Sequence, residues 1–440
     1  MYTRHLLPLV RDMLGEFRIV YVPGPRQSGK TTLVRGIAAE SGMRYLTFDD
    51  PAVRAAAAGD PHGFVRSLGD EAVVLDEFQD VPGLVPAIKE ASDLRGGVSP
   101  DGPVPGGPRK GLFLLTGSAD LFRSARAQEA LPGHMARLEL LPLSLAEIHG
   151  TRRNLVDYLL AGDFSGQSRS SPAVPPTRGQ IANRILLGGY PEVQGMSPRA
   201  RRIWFRSYTE GRFFRDFETL YTARGDHHSR IRALAPFLAG LSGNLLRYAS
   251  LANALELNDK LAKSYVEVLE LMFLIRRVPS YRKNLARRMA VRMPKLHFLD
   301  TGLACHLLGL RNEDRLLTSP HYGALLETLV YTELAKHAEW AEEEVGLYHF
   351  RDKRKREADI VAERPDGRIV GVEVKASATV RREDFNGLAA LAEFAGAGFE
   401  RGVLFYTGAH VLPFHRGDVR FHALPLHAGR CASSREKRFS

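Results

Sequence analysis

Residues Gly24 to Thr31 read Gly-Pro-Arg-Gln-Ser-Gly-Lys-Thr, a complete G-x-x-x-x-G-K-[ST] pattern. No other stretch limits the fold as tightly, because the pattern needs a strand before it and a helix after it. Both flanks comply. Phe17-Arg-Ile-Val-Tyr-Val reads as a buried strand, and Thr32-Leu-Val-Arg-Gly-Ile-Ala-Ala-Glu has helical spacing. The glycines let backbone N–H groups turn inward, and the helix start adds the positive end of its dipole. The expected guest is the phosphate chain of ATP or GTP. Gly24, Pro25, Arg26, Gln27, Ser28, Gly29, Lys30, Thr31 and Thr32 form the candidate cradle. Lys30 can reach the β- and γ-phosphates, and the Thr31 hydroxyl can join a Mg²⁺ shell.

A second half-site follows. Ala72-Val-Val-Leu-Asp-Glu is an apolar strand ending in Asp76 and Glu77. Beside a phosphate loop, Asp76 is the candidate Mg²⁺ holder and Glu77 the candidate that polarises the attacking water. Standing alone, two such acids could merely cap the next helix. A third apolar strand, Gly111-Leu-Phe-Leu-Leu, ends in Thr116-Gly-Ser118, whose hydroxyls could sense the γ-phosphate.

At 440 residues with 44% apolar content, the chain can bury two or three cores. Cys305 and Cys431 lie far apart and point to neither a disulfide framework nor a zinc site. That fits a reducing cytoplasm, and no run looks like a signal peptide or a membrane span. A formal charge of +11 favours an acidic partner such as nucleic acid. Three stretches break the periodic pattern: Gly96 to Lys110, Asp163 to Gly179, and the basic tail Cys431 to Ser440.

The middle of the chain has a helix-turn-helix cadence. Ser250 to Glu256 reads as a short helix, Leu257-Asn-Asp as a turn, and Lys260 to Leu274 as a longer helix. Leu261, Tyr265, Val268, Leu269 and Met272 should face a core. Then come eight basic residues and no acid: Arg276, Arg277, Arg282, Lys283, Arg287, Arg288, Arg292 and Lys295. A winged helix with a basic hairpin is one reading, with salt-dependent DNA binding. A packing lid with a solvated basic face is the other.

The C-terminal region carries a second constellation. Arg356 to Glu363 reads as a strand, Arg364-Pro-Asp-Gly as a tight turn, and Arg368 to Lys375 as the hairpin partner. Glu373 and Lys375 share one face, and Asp359 on the partner strand can meet them. Leu325 to Leu334 reads as an amphipathic helix able to bring in Glu327. Such carboxylates could hold Mg²⁺ or Mn²⁺ against a scissile phosphate, with Asp359 and Glu373 as ligands and Lys375 positioning water. The bland reading is a salt-bridge network or a degenerate site.

Taken in order, these elements resemble the P-loop ATPases of the AAA+ type that carry a C-terminal DUF4143 domain similar to PD-(D/E)XK nucleases. The resemblance spans roughly residues 1 to 410. It rests on Gly-Pro-Arg-Gln-Ser-Gly-Lys-Thr-Thr, Leu75-Asp-Glu-Phe-Gln-Asp, Leu115-Thr-Gly-Ser and Leu141-Pro-Leu-Ser-Leu-Ala-Glu. Downstream it rests on Gly188-Gly-Tyr-Pro-Glu, Arg215-Asp, Pro294-Lys-Leu-His-Phe-Leu-Asp-Thr-Gly-Leu, and the Glu327, Asp359, Glu373-Val-Lys375 set. It implies an α/β chain: an AAA+ core with a parallel sheet over 1–160, a helical and winged-helix segment over 180–310, and a restriction-endonuclease-like domain over 311–425. A basic tail over 426–440 would follow. One departure matters: where the family often has Gly-Arg, Gly133 is followed by His134, with Arg137 three positions on. Either Arg137 serves as the finger or hydrolysis is slow.

Three functions are compatible with these marks. The first is a DNA-associated ATPase whose end domain is a metal-dependent nuclease. The second is a nucleotide-dependent switch or regulator whose end domain binds DNA or protein without cutting. The third, weaker, is a small-molecule kinase, against which Asp76-Glu77 and the long C-terminal region argue. An oligomer is compatible with each.

Overall fold

The strands nearest the phosphate loop are near-continuous apolar runs, as expected for a parallel sheet covered on both faces. In the computed structural model, which describes residues 2–95, 109–120, 133, 135–164, 176–221, 227–282 and 293–427, they form such a sheet. Its strands are β1 (Ile19–Pro23), β2 (Arg44–Thr47), β3 (Val73–Asp76), β4 (Phe113–Gly117) and β5 (Met135–Arg137). All pairings are parallel, in the order β2-β3-β4-β1-β5. β4 therefore lies between the strand leading into the phosphate loop and the strand ending in Asp76. Tyr21, Phe48, Leu75, Phe78, Leu84, Ile88, Phe113 and Leu115 pack the core on one face of this sheet. β2 has no counterpart in the sequence reading. It is an edge strand whose Arg44-Tyr-Leu-Thr is only partly buried, so it lacks the apolar run that marks its neighbours.

Chain contacts divide the molecule into two compact units, Thr3–Pro142 with Leu271–Leu274, and Leu143–Glu270 with Ile275–Ser440. In the second, the helix His227–Gly240 is followed by β6 (Asn244–Leu245) and the helices Tyr248–Ala254 and Asp259–Leu271. β7 (Ile275–Val278) and β8 (Lys295–Phe298) come next, in an antiparallel sheet of order β6-β8-β7. Tyr265, Val268, Leu269 and Met272 are buried as expected, while Leu261 is only half-buried.

A six-stranded sheet of order β13-β14-β12-β11-β10-β9 forms the C-terminal region. Its strands are β9 (Gly346–Arg351), β10 (Glu357–Glu363), β11 (Ile369–Lys375), β12 (Phe399–Tyr406), β13 (Leu412–Arg416) and β14 (Val419–Pro425). β9, β10 and β11 are an antiparallel meander, and β12 runs parallel to β11 after the helix Asn386–Ala395. The β10–β11 turn falls where the sequence places it. Arg364 N–H donates to Arg368 O at 2.9 Å, and Gly367 takes the positive φ of 83° that the turn needs.

The helix that carries Glu327 differs from expectation. It spans Tyr322–Ala338, and thirteen of its seventeen residues are buried. It is a central helix covered almost all round, so the apolar stripe read as one face of an amphipathic helix is only part of its apolar surface. No helix among the described residues is long and apolar enough to cross a membrane.

Candidate functional site

The phosphate loop leaves β1 and closes at the N-terminus of the helix Lys30–Ser41. Two residues hold positive φ there, Gln27 at 61° and Gly29 at 96°, which turns the chain sharply. Gly24 has to be glycine for packing reasons, because a Cβ would lie 2.2 Å from the Leu140 carbonyl oxygen. The Ser28 hydroxyl is buried with no hydrogen-bond partner, an orphan that a bound phosphate oxygen would satisfy. Lys30 is 3% exposed, and its ammonium donates to the loop's own carbonyls, Gly24 at 3.0 Å and Pro25 at 2.9 Å. Burial brings its pKa down to about 8, against the pull of Glu77 and Asp76. Thr31, Arg26 and Gly29 are partly buried along the loop, while Gln27 and Thr32 are exposed.

Asp76 is held on both oxygens. Tyr45 donates to Oδ2 at 2.6 Å, and Oδ1 accepts from the Thr116 hydroxyl and from Glu77 N–H. Burial and this contact raise the Tyr45 phenol to about 12, so it stays a donor. Glu77 sits in left-handed backbone at φ 56°, an uncommon conformation for a side chain of its size. Its carboxylate accepts from Gln79 Nε2 at 2.7 Å, and Gln79 Oε1 accepts from Ser118 N–H at 2.9 Å. Gln79 thus ties the end of β3 to the end of β4. Gly117 makes room for it, since a Cβ there would stand 3.1 Å from Gln79 Oε1.

Gln79 entered the sequence reading only within the Leu75-Asp-Glu-Phe-Gln-Asp mark, with no role assigned, and Tyr45 did not figure in it. Gln79 had a signal, its place two residues after Glu77, but Tyr45 lies on the unrecognised edge strand. The set fits a nucleotide with its Mg²⁺: a sharply turned loop at a helix N-terminus, an orphaned hydroxyl, a buried lysine, and Thr31 with an oriented Asp76 as metal donors. Arg137 pairs with Asp120 at 2.7 Å and Glu139 at 3.3 Å, so its guanidinium is already engaged by two carboxylates. His134 lies outside the described residues.

The C-terminal constellation does come together, with an addition. Lys295, at the start of β8, is fully buried, and its ammonium stands among three acids. It lies 2.7 Å from Glu327 Oε1, 3.2 Å from Asp359 Oδ1 and 3.2 Å from Glu357 Oε1. The second oxygen of Asp359 accepts from Val374 N–H at 2.9 Å. Lys375 pairs with Glu373 Oε1 at 3.2 Å, and Glu373 Oε2 is buried without a partner.

Burial alone would lower the Lys295 pKa, but the pull of Glu327, Asp359 and Glu357 outweighs it and raises it. Burial, then the neighbouring Asp359, pushes Glu327 and Glu373 well above the ordinary carboxyl range; Lys295 opposes this at Glu327 and Lys375 at Glu373. His297 is pushed well below its usual value by burial and by Lys295, so it stacks on Tyr331 as a neutral ring. Among the described residues, no group of three or more acids, histidines or cysteines is arranged to hold a metal ion.

Lys295 therefore corrects the sequence reading, which placed it on a basic DNA-facing surface. A side chain with no exposure cannot reach a phosphate backbone. Arg277 is also committed inward, to Glu270 at 2.6 Å and Tyr248 at 2.9 Å. Arg276 is half-buried and Arg282 exposed, while Lys283, Arg287, Arg288 and Arg292 lie outside the described residues.

Comparison with known proteins matches three segments of the chain. Residues 16–149 match the AAA domain family (AAA_14), 178–314 a domain of unknown function (DUF8612), and 322–428 another (DUF4143). Uncharacterized protein Rv2008c of Mycobacterium tuberculosis and Uncharacterized protein Mb2031c of Mycobacterium bovis are each 27% identical over 372 residues. The match covers 84% of this chain and 73% of theirs. Among solved structures, the Walker-type ATPase PABY2304 of Pyrococcus abyssi aligns with a TM-score of 0.41 and 14% identity, over 70% of this chain and 96% of that one. The Aeropyrum pernix ORC2 protein aligns at 0.33 and 15%, over 76% and 93%. Likenesses this slight add nothing to the argument on fold. The family matches and the loop geometry do: residues 16–149 are an AAA-type P-loop ATPase domain, and residues 322–428 carry a DUF4143 domain.

Proposed function

We propose that this chain is an ATP-hydrolysing switch that associates with DNA, and that its C-terminal domain has a nuclease-like framework that does not cut. The observation that carries the second half is the position of the Lys295 ammonium among Glu327, Glu357 and Asp359. A divalent ion binds carboxylate oxygens at about 2.0–2.6 Å. To sit on Asp359 it would have to expel a buried, hydrogen-bonded ammonium and leave that charge unpaired. What favours active cleavage instead is the unpartnered Glu373 Oε2 beside Lys375. One free oxygen does not replace the ligand that Lys295 engages.

The framework reading is supported by order. A buried helix bearing Glu327 precedes the meander bearing Asp359 and Glu373, and a further helix leads to a strand parallel to β11. Helix, β6, two helices and the β7–β8 hairpin, with β8 central, likewise support a winged helix over that stretch. The proposed domains run 1–160, 180–310 and 311–425.

In the ATPase domain, loop N–H groups and Lys30 would hold the phosphates, and Lys30 would exchange the Gly24 and Pro25 carbonyls for them. Thr31 and Asp76 would hold Mg²⁺, which supplies charge neutralisation. Glu77 would orient the attacking water, with Gln79 and Ser118 fixing its carboxylate. Arg137 is occupied by Asp120 and Glu139, which supports slow turnover without a finger supplied by another chain. The test is to incubate the chain with supercoiled plasmid, ATP and Mg²⁺ or Mn²⁺. Release of phosphate with the plasmid intact is expected. Nicking that disappears in Asp359→Asn would overturn the non-cutting half, and absence of phosphate release would overturn the other.

A further inference from the structure

The basic surface foreseen between Arg276 and Lys295 is partly inward, which leaves open where a DNA-associated chain would meet the phosphates. The helix Pro198–Tyr208 offers a surface that the sequence reading passed over. Its sequence, Pro-Arg-Ala-Arg-Arg-Ile-Trp-Phe-Arg-Ser-Tyr, starts at a Ser197 cap, with the hydroxyl accepting from Ala200 N–H at 3.3 Å. Arg201, Phe205 and Tyr208 are buried on one side. Trp204 stacks on Tyr208 with ring centroids 5.2 Å apart, and Tyr190 packs against both. This aromatic cluster fixes the helix in roll and position.

The opposite side presents Arg199, Arg202 and Arg206, all exposed. At about 100° per residue they fall within roughly a 60° arc, and they span about 10 Å along the axis. Among the described residues none of the three has an acidic partner. Two acids lie nearby in the chain, and both are engaged. Glu210 is held by Arg232, with one contact of 2.9 Å, and Glu192 accepts from Trp204 Nε1 at 2.9 Å.

We infer that Arg199, Arg202 and Arg206 form a docking row for the phosphate backbone of duplex DNA. This rests on the DNA-associated part of the proposed function. The row is short, rigid and singly charged in sign, and the chain as a whole carries +11, so its complement is a polyanion. Arginine suits phosphate oxygens through its planar fork of N–H donors. A lipid surface fits less well, because interfacial helices insert a broad apolar face. Here the only large exposed apolar side chain on the helix is Ile203, and Trp204 is held inward against Tyr190 and Tyr208. The contacts proposed are to phosphate oxygens, which carry no sequence information directly, so binding is independent of sequence.

The experiment measures affinity of the full chain for a short labelled duplex by fluorescence anisotropy at several salt concentrations. It compares wild type, the triple variant Arg199→Gln/Arg202→Gln/Arg206→Gln, and a charge-matched triple, Lys353→Gln/Arg354→Gln/Lys355→Gln, at an exposed turn elsewhere. Three lost phosphate contacts should flatten the log–log salt slope by about 2.7, at about 0.9 per contact. The helix variant should show this loss and the matched one should not, with ATP hydrolysis retained by both. If wild type binds and both triples weaken it equally, binding follows net charge and the row is wrong. Binding by wild type that the helix variant leaves unchanged also overturns it. No binding by wild type at low salt overturns the DNA-associated reading itself. Capture by anionic phospholipid vesicles, lost in the helix variant while duplex binding persists, would assign the row to a membrane surface instead.

Discussion

Replacing Lys295 by methionine is expected to destabilise the C-terminal region by about 3–5 kcal/mol, the range for removing one partner from a buried ion pair. The ammonium is fully buried and lies within 3.2 Å of three carboxylates, so methionine leaves Glu327, Glu357 and Asp359 facing one another. Arg351, 3.0 Å from Glu357, compensates only that acid. Urea unfolding followed by hydrogen exchange of β10 and β11 should show the loss there. The ATPase domain should unfold at its usual midpoint. Adding Glu327→Gln to Lys295→Met should recover part of the loss, because one buried charge disappears with its repulsion. An unchanged midpoint for Lys295→Met would mean that Lys295 is not the cation neutralising the cluster.

The largest functional effect is expected at the phosphate loop. Lys30→Ala should abolish binding of a fluorescent ATP analogue or reduce it to the limit of detection. The buried ammonium is the loop's candidate for reaching the β- and γ-phosphates, and alanine removes that charge from the site. Glu77→Gln should keep nucleotide binding but slow phosphate release by about 10²- to 10⁴-fold, the usual contribution of a positioned general base. Wild-type turnover in Lys30→Ala would exclude the loop as the nucleotide site. Unimpaired turnover in Glu77→Gln would remove Glu77 from the chemistry while leaving the loop in place.

What could be read from the sequence was whatever chemistry is local. The phosphate loop is one contiguous turn, and its glycines, lysine and flanking periodicities sit within a few residues of each other. The Asp76-Glu77 strand end and the β10–β11 hairpin are legible for the same reason. Asp359 and Glu373 could be placed on facing strands by alternation alone.

The failures came from long-range packing. Lys295 lies 32 residues before Glu327 and 64 before Asp359, inside a run of basic residues that reads as one solvated surface. Its strand did hold a clue: Lys295 alternates with His297, and both project to the side opposite Leu296 and Phe298, within four buried residues. A buried lysine on such a strand needs carboxylate partners. The helix Tyr322–Ala338 was misread because a helix covered all round has no single apolar stripe to detect. β2 was missed because an edge strand has little burial to mark it.

The central claim is that a protein ammonium stands where a metal ion would sit in the C-terminal carboxylate cluster. Isothermal titration of the ATP-free chain with Mn²⁺, run in parallel on wild type and Asp359→Asn, measures this most directly. The expected result is two superimposable isotherms, with no binding that depends on Asp359. A saturable heat in wild type that vanishes in Asp359→Asn would contradict it, and would return the cluster to the metal-dependent chemistry of a cutting enzyme.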